Sequence, residues 1–465
     1  MNKPEPIVET GTPSWIGSST VTPTPALSTF DAIALIVGIV IGAGIFVTPA
    51  LVASHTGDAA ALLTAWAVGG IVALAGALCY AELATTYPHS GGDYHYLSRG
   101  FGRSLAFLFG WARITVIPTG SIALLAFAFG DYASQAVALG PHSSALWAAA
   151  VVIALTLLNM AGVRHGSRTQ NLFTVLEVAG LLVVVIAGLF LVAPAGAAVA
   201  PPPGAQQASV FGLAMVFVML AFGGWNEASY ISAEVRGPRM NVVIALVVSI
   251  VVITLLYLLV NLAYLRGLGF AGMAGSSAVA ADLLRRAFGD TGAWLIAAVV
   301  AVAALTSANA TILLGARTSY AVGRDFAPFA GLGRWHPRTN SPTAALALQG
   351  CIALALVGVG AMTRKGVETM IEFTAPVFWF FFLLAGISLF VLRWREPHVM
   401  RPFRVPLYPF TPLLFCATSA WLFYSSVRYA GVGSLLGIAV LGIGALLLLL
   451  GRLPAGQAVA RRASR

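Results

Sequence analysis

Apolar residues fill this chain in one long run after another, and only short polar stretches separate the runs. A helix needs about 20 apolar residues to cross a bilayer, and a window of about 19 residues detects such helices. The runs of suitable length are 31–54, 59–86, 104–130, 145–162, 171–193, 210–235, 241–265, 292–321, 343–362, 368–392, 409–427 and 432–452. The pattern predicts an all-α polytopic membrane protein with twelve transmembrane helices.

The basic residues of the loops alternate between the two sides of the predicted membrane. If the N-terminus lies inside, the loops on the cytoplasmic side should carry the excess of Lys and Arg. That side holds Arg99, Arg103, Arg164, Arg168, Arg236, Arg239, Arg324, Arg334, Arg338, Arg393, Arg395, Arg401, Arg404 and the arginines of the C-terminal tail. The other side holds only Arg266, Arg285, Arg286, Arg364, Lys365 and Arg428. The alternation supports the twelve spans and predicts a protein of the cytoplasmic membrane with both termini in the cytoplasm.

Glycines interrupt the first span. Gly38, Gly42 and Gly44 fall within seven residues, and Pro49 follows them. Such a pattern has two explanations. Small residues let a neighbouring helix approach closely, or the helix breaks there and its two half-helix ends bind a polar ligand at the bilayer midplane.

The sixth span carries a matching interruption, because Gly223 and Gly224 lie in its middle. It comes five spans after the first and starts on the opposite side of the membrane, so a repeat that relates the two spans must be inverted. A pair of glycine-interrupted segments at matching positions is the best sequence pointer to a transporter's binding site, and it favours the broken helix. The predicted organisation is a disordered cytoplasmic tail (1–30), a first inverted repeat (31–193), a second (207–392), two further helices (409–452) and a cytoplasmic tail (453–465).

The composition excludes several classes of function. With 59% hydrophobic and 9% charged residues, the chain is not a soluble globule, because such proteins carry about 25% charge. The net charge of +10 is spread over short loops, so we read it as topology and not as nucleic-acid affinity. The three cysteines have no metal-ligand spacing, the seven histidines sit singly near span ends, and no Walker loop is present. We therefore expect no enzyme, no metal, no cofactor and no disulfide-linked partner.

Several motifs together resemble those of the amino acid–polyamine–organocation superfamily, and within it the amino acid permeases related to L-type transporters. The segments are Gly38–Phe46, Cys79–Leu83, Pro88–Leu97, Phe222–Asn226, Glu234–Asn241, Arg317–Ala321 and Arg324–Asp325. The resemblance covers nearly the whole chain and implies the LeuT-type fold, with five plus five inverted helices, and transport of amino acids. Leu220 departs from the family pattern, which generally places an aromatic gate at that position.

A broken helix offers a partner for each charge of an amino acid. The backbone N–H groups at the start of a half-helix can hold the carboxylate, and unwound carbonyl groups can accept from the ammonium. We expect the carboxylate at Gly42, Ala43, Gly44 and Ile45, and the ammonium at the carbonyls of Val40, Ile41, Leu220, Phe222 and Gly223. We expect the side chains of Phe222, Trp225 and Asn226 to contribute specificity.

Ionisable and polar side chains inside the spans are candidates for coupling or specificity, since they are costly in a membrane. Glu177 lies where sodium-independent relatives often carry a lysine, and it could carry a coupling proton or pair with Arg113. Glu227 could face the site and favour a cationic side chain. Glu82 and Glu234 are expected to pair with loop arginines. The hydroxyls of Thr306 and Ser307 either help to bind an ion or bond to the backbone of their own or a neighbouring helix.

These features predict a secondary active transporter or exchanger that moves amino acids by alternating access, with neutral substrates and without sodium. The runner-up is a proton-coupled carrier of cationic amino acids or polyamines, which Glu177 and Glu227 motivate. A channel would need polar or charged rings along a pore, and these are not evident in the sequence. The expected partners are the amino acid substrate, the lipid bilayer and, ahead of sodium, a coupling proton.

Overall fold

A computed structural model describes residues 27–46, 48–89, 91–194, 207–276, 278–363, 366–429 and 432–450. Its α-helices are α1 (Thr29–Ile41), α2 (Thr48–Ser54), α3 (Ala59–Thr86), α4 (Asp93–Phe101), α5 (Arg103–Thr115), α6 (Ile117–Ala136), α7 (Ser143–Met160), α8 (Val163–Ile186), α9 (Gln207–Ala221), α10 (Met240–Ala274), α11 (Val279–Phe288), α12 (Asp290–Asp325), α13 (Thr343–Thr363), α14 (Gly366–Arg395), α15 (Phe410–Tyr429) and α16 (Val432–Leu450). Short 3₁₀ segments cover Ala43–Phe46, Trp225–Ile231 and Ala327–Phe329, and a π-helical turn, Ala187–Leu191, ends α8. Over the described ranges there are no strands beyond two isolated bridges. The predicted tails before residue 27 and after residue 450, and Arg364 and Lys365, lie outside the described residues.

Nine helical stretches in the described part of the chain are long and apolar enough to cross a membrane. They are Ala59–Thr86, Arg103–Ser134, Ser143–Met160, His165–Leu191, Met240–Ala274, Asp290–Asp325, Thr343–Met362, Phe373–Arg395 and Phe410–Arg428. These nine coincide with predicted spans two to five and seven to eleven. Shorter apolar helices, Thr29–Ile41 and Leu435–Leu449, lie in the first and last predicted spans. An all-helical, multi-pass membrane protein is thus confirmed, whereas the total of twelve spans stays a prediction.

Glycines interrupt the predicted first and sixth spans, at the ends of helices α1 and α9. Helix α1 stops at Ile41, and Gly42 follows with φ 37° and ψ −176°, a combination that glycine adopts without steric cost. Helix α9 stops at Ala221, and Gly224 has φ 111° before the chain continues as a 3₁₀ segment. The interruptions that the sequence predicts in the first and sixth spans are therefore present.

Helix α1 lies at the centre of the molecule, where it packs against α8, α10 and α12. Its start is fixed by Ser28, whose hydroxyl accepts from the backbone N–H of Asp31 at 3.1 Å while the Asp31 carboxylate accepts from the Ser28 N–H at 2.8 Å. These two reciprocal hydrogen bonds satisfy two backbone N–H groups at the start of the helix. Gly38 sits in mid-helix against Thr174 and Thr306, which a Cβ atom would meet. Gly38 is therefore a packing glycine, and the break begins one turn later.

Candidate functional site

The hydroxyl of Tyr257 on α10 lies between the two interruptions. It is 2.9 Å from the carbonyl oxygen of Val40, 3.4 Å from that of Ile41 and 3.0 Å from that of Ala221. The first two carbonyls end α1 and the third ends α9. Because a hydroxyl has a single hydrogen to donate, it cannot satisfy all three oxygens at once. One side chain therefore joins the two interruptions and leaves acceptor capacity at the place where they meet.

The first interruption is also held from α12. The Ser307 hydroxyl donates to the carbonyl oxygen of Gly38 at 2.9 Å, so it bonds across to a neighbouring helix. The Thr306 hydroxyl donates to the carbonyl oxygen of Val302 at 2.7 Å, within its own helix. Both hydroxyls thus make the backbone bonds that are common for Ser and Thr in membrane helices.

Gly42 and Gly44 differ in what they require. A Cβ atom at Gly42 would lie 3.0 Å from the Ser307 hydroxyl oxygen, and the positive φ of Gly42 disfavours any side chain. A Cβ atom at Gly44 would meet Ala221 at ordinary contact distance, 3.7 Å from its Cα. The backbone conformation therefore demands glycine at Gly42, whereas the space beside Gly44 would admit a methyl group.

The side chains of the second interruption point mainly into the core. Phe222 and Trp225 are buried, and Asn226 is buried beside them. Rings in contact with Phe222 are those of Trp66 and Tyr257, and rings in contact with Trp225 are those of Tyr80, Phe382 and Phe415. These two aromatic residues anchor the segment in the core.

Leu220, the position at which the resemblance implies an aromatic gate, is 42% exposed. Its carbonyl oxygen accepts from the N–H of Gly223 at 3.2 Å. That carbonyl, expected to accept from an ammonium, is therefore already engaged within the turn.

Glu177 on α8 is fully buried, and neither of its carboxylate oxygens has a hydrogen-bond partner among the described residues. An ionised carboxylate without a partner is very costly to bury. Glu177 therefore fits a group that is neutral or that receives a cation.

Arg113 pairs with Glu227, so of the two alternatives for Glu177 the one in which it pairs with Arg113 is wrong. Its Nη1 and Nη2 lie 2.5 and 2.9 Å from Oε1 and Oε2 of Glu227, and its guanidinium stacks 4.4 Å from the ring centroid of Tyr230. Both partners are buried. The charge of Glu227 is thereby neutralised inside the protein, which removes its attraction for a cationic substrate side chain.

Two further buried carboxylates, those of Glu82 and Glu234, have both oxygens bonded. Glu82 accepts from Arg393 at 2.8 Å and from the Val405 N–H at 2.7 Å, and it pairs with Arg401 at 3.3 Å. Glu234 pairs bidentately with Arg317 at 2.6 and 2.8 Å. The expected pairing with a loop arginine is confirmed for Glu82, whose partners include Arg401. The partner of Glu234 is Arg317, which lies inside helix α12.

Two of the histidines do not sit singly. The rings of His89 and His95 stack with their centroids 4.3 Å apart. Burial lowers the pKa of His89 to about 4, and burial, the neighbouring His89 and Arg99 lower the pKa of His95 to about 3. Both imidazole rings are therefore uncharged at neutral pH, and they stack on each other.

Tyr257 is a candidate site residue that the sequence interpretation missed. A signal was present, because a tyrosine interrupts the aliphatic run of α10. Over the described ranges, no cluster of three or more His, Cys, Asp or Glu side chains is arranged to hold a metal ion.

Comparison with known proteins shows which family this chain is similar to. A family model described as amino acid permease matches residues 27–446. The chain is 31% identical over 408 residues to b(0,+)-type amino acid transporter 1 of Mus musculus, which covers 85% of this chain and 81% of the relative. It is 30% identical over 398 residues to the human (Homo sapiens) large neutral amino acids transporter small subunit 2, covering 83% and 73%. It is 29% identical over 422 residues to the serine/threonine exchanger SteT of Bacillus subtilis (strain 168), covering 89% and 94%.

Proposed function

The chain belongs to the amino acid permease family, and from this premise we propose that it binds its substrate between the two helix interruptions and moves it by alternating access. It is a membrane transporter of amino acids and not an enzyme, in keeping with relatives that are amino acid transporters and exchangers. Neutral amino acids are the favoured substrates.

The observation that carries the proposal is the position of the Tyr257 hydroxyl between the carbonyls of Val40 and Ala221. The substrate ammonium binds to these carbonyls, which have more acceptor capacity than one hydroxyl can use. The carboxylate binds to the backbone N–H groups of the segment from Gly42 to Ile45. Charge-assisted hydrogen bonds are worth roughly 1.5–3 kcal/mol each, so a few of them hold the substrate without trapping it.

The two interruptions belong to corresponding helices of two inverted five-helix repeats, 31–193 and 207–392, in a LeuT-type fold of twelve spans. Support comes from the breaks at Gly42 and Gly224, which end the first helix of each half in mid-course. In this fold one bundle rocks against the rest around a fixed midplane site. Both termini lie in the cytoplasm and the protein resides in the cytoplasmic membrane, as the distribution of arginines favours.

Glu177 carries a coupling proton in this proposal, and sodium is not required. Support comes from its complete burial and its two oxygens without a partner in the described part of the chain. A carrier of cationic amino acids or polyamines is less favoured, because Arg113 neutralises Glu227.

Counterflow in proteoliposomes tests the function. The purified full chain is reconstituted, the vesicles are loaded with one unlabelled amino acid, and accumulation of labelled amino acids is measured with separate sodium and proton gradients. We expect counterflow of neutral amino acids that does not depend on sodium. Absence of counterflow for every amino acid and polyamine, in vesicles shown to contain folded protein, would sink the proposal.

A further inference from the structure

A small cavity lies beside the second interruption, away from Tyr257. Its walls are Asp93, Phe109, Arg113, Ile117, Asn226, Phe378, Phe381 and Phe382. It has room for about one water molecule. The three polar side chains come from three different elements, namely α4, α5 and the 3₁₀ segment Trp225–Ile231.

Each of these polar side chains has an atom without a partner among the described residues. The atoms are Oδ1 of Asp93, Nε of Arg113 and Oδ1 of Asn226, and all three residues are at least nine-tenths buried. Buried polar atoms in proteins are nearly always hydrogen-bonded, to protein or to water. One donor and two acceptors around a single cavity form a site for a small group that both donates and accepts hydrogen bonds.

The charges around this cavity do not cancel when all groups are ionised. Arg113 is bound to Glu227 through both Nη atoms, and the Tyr230 hydroxyl donates to Oδ2 of Asp93 at 3.0 Å. The cluster thus contains two carboxylates and one guanidinium. One bound proton would make its formal charge zero, and a buried net charge is costly.

The groups that face Asp93 come from every neighbouring element. They are Tyr80 of α3, Tyr96 of α4, Arg113 of α5, and Glu227 and Tyr230 of the 3₁₀ segment. Burial raises the pKa of Asp93 to about 7, because its desolvation and the charge of Glu227 outweigh the lowering by the Tyr80 and Tyr230 hydroxyls and by Arg113.

Asp93 differs from the buried carboxylates that arginines hold in place. Glu82 and Glu234 illustrate structural carboxylates, since arginines occupy both oxygens of each. Asp93 is as deeply buried as they are, yet no arginine bonds to it among the described residues. The cluster around Asp93 instead has one donor and two acceptors without a partner among the described residues.

We infer that Asp93 and this cavity form a proton-binding site, separate from Glu177, that is linked to the second interruption. Oδ1 of the Asp93 carboxylate takes a proton from a hydronium ion, so one O–H bond forms, one O–H bond of the hydronium breaks, and a water molecule is left. The new O–H donates to Asn226, directly or through one water in the cavity. Because Tyr230 and Asn226 belong to the segment that follows Gly224, protonation changes how that segment is held. The inference rests on the proposed function only in assigning this proton an effect on transport.

The test compares Asp93→Asn with Asp58→Asn in the reconstituted full chain. Asp58 is an exposed helix cap, and Asn caps as well as Asp, so this control keeps the charge change but leaves the cluster intact. Apparent substrate affinity in counterflow is measured from pH 5.5 to pH 8.5. We expect an inflection near pH 7 in the unmodified chain and in Asp58→Asn, and its loss in Asp93→Asn. An inflection that persists in folded Asp93→Asn would overturn the inference.

Infrared difference spectroscopy on chains with ¹³C-labelled aspartate gives a second readout that needs neither transport nor the variant. A carboxylic acid band of a buried aspartate should appear as the pH falls through about 7. If no aspartate takes up a proton over that range, this site fails even where counterflow succeeds. If the band titrates and no amino acid is transported, the site stands and the proposed function fails.

Discussion

The hydroxyl of Tyr257 lies 2.9 Å from the carbonyl oxygen of Val40, although 217 residues separate the two in the chain. The same hydroxyl lies 3.0 Å from the carbonyl oxygen of Ala221, at the end of α9. Two helix ends that expose backbone carbonyls in an apolar region therefore share one donor. The carbonyl groups at these two helix ends therefore have acceptor capacity that the ammonium of a substrate can satisfy.

Removal of the Tyr257 hydroxyl should weaken substrate binding and leave the fold intact. The hydroxyl holds the carbonyls of Val40 and Ala221 in the position in which they accept from the ammonium. A hydrogen bond of this kind contributes about 1 kcal/mol, so the loss of this positioning in Tyr257→Phe should lower the affinity for a transported amino acid by roughly fivefold. Tyr264→Phe is the matched control, because Tyr264 is buried in the same helix and its hydroxyl has no partner among the described residues. Equal affinities of the two variants in a binding assay would contradict the role of Tyr257.

Alanine at Gly42 and at Gly44 should have different effects. Gly42→Ala places a Cβ atom on a residue with positive φ, which costs roughly 1–2 kcal/mol, so the variant should melt at a lower temperature. Gly44→Ala adds only an ordinary contact with Ala221, so it should melt like the unmodified chain but bind substrate more weakly. Thermal unfolding in detergent, with binding measured on the same samples, separates the two effects. The interpretation would be wrong if Gly44→Ala melted early and Gly42→Ala did not.

Glu177→Gln should not destabilise the protein, whereas Glu82→Gln should. Glu177 has no partner to lose among the described residues, but Glu82 is bound by Arg393 and Arg401, and breaking a buried pair costs about 3–5 kcal/mol. We also expect Glu177→Gln to abolish accumulation driven by a proton gradient while counterflow continues. Retained proton-driven accumulation in Glu177→Gln would make Glu177 a structural residue.

Arg113 and Glu227 should show strong coupling in a double-mutant cycle. Arg113→Leu alone leaves Glu227 buried and unpaired, and Glu227→Leu does the same to Arg113, so each single variant should lose about 3–5 kcal/mol of stability. The double variant should lose clearly less than the sum of the two. Additive losses in denaturant or thermal unfolding would mean that the pair contributes little beyond packing.

The sequence predicts the all-helical, multi-pass class of the fold and its two helix breaks, because apolar runs of membrane length and mid-span glycines are local signals. The breaks after Ile41 and Ala221 are visible in those glycines alone. The pairing of Arg113 with Glu227 is not visible, because 114 residues separate the two and any of several buried carboxylates could have been the partner. Tyr257 was missed for the same reason, since only the assembled helices bring its hydroxyl to both breaks.

We propose that backbone groups at the two interruptions hold both charged ends of the substrate. Competition in counterflow tests this binding mode, with a transported neutral amino acid, its methyl ester and its N-acetyl derivative as competitors. The ester lacks the carboxylate and the N-acetyl compound lacks the ammonium, so we expect that neither competes at concentrations where the parent amino acid inhibits fully. Competition by either derivative as strong as that of the parent would contradict it.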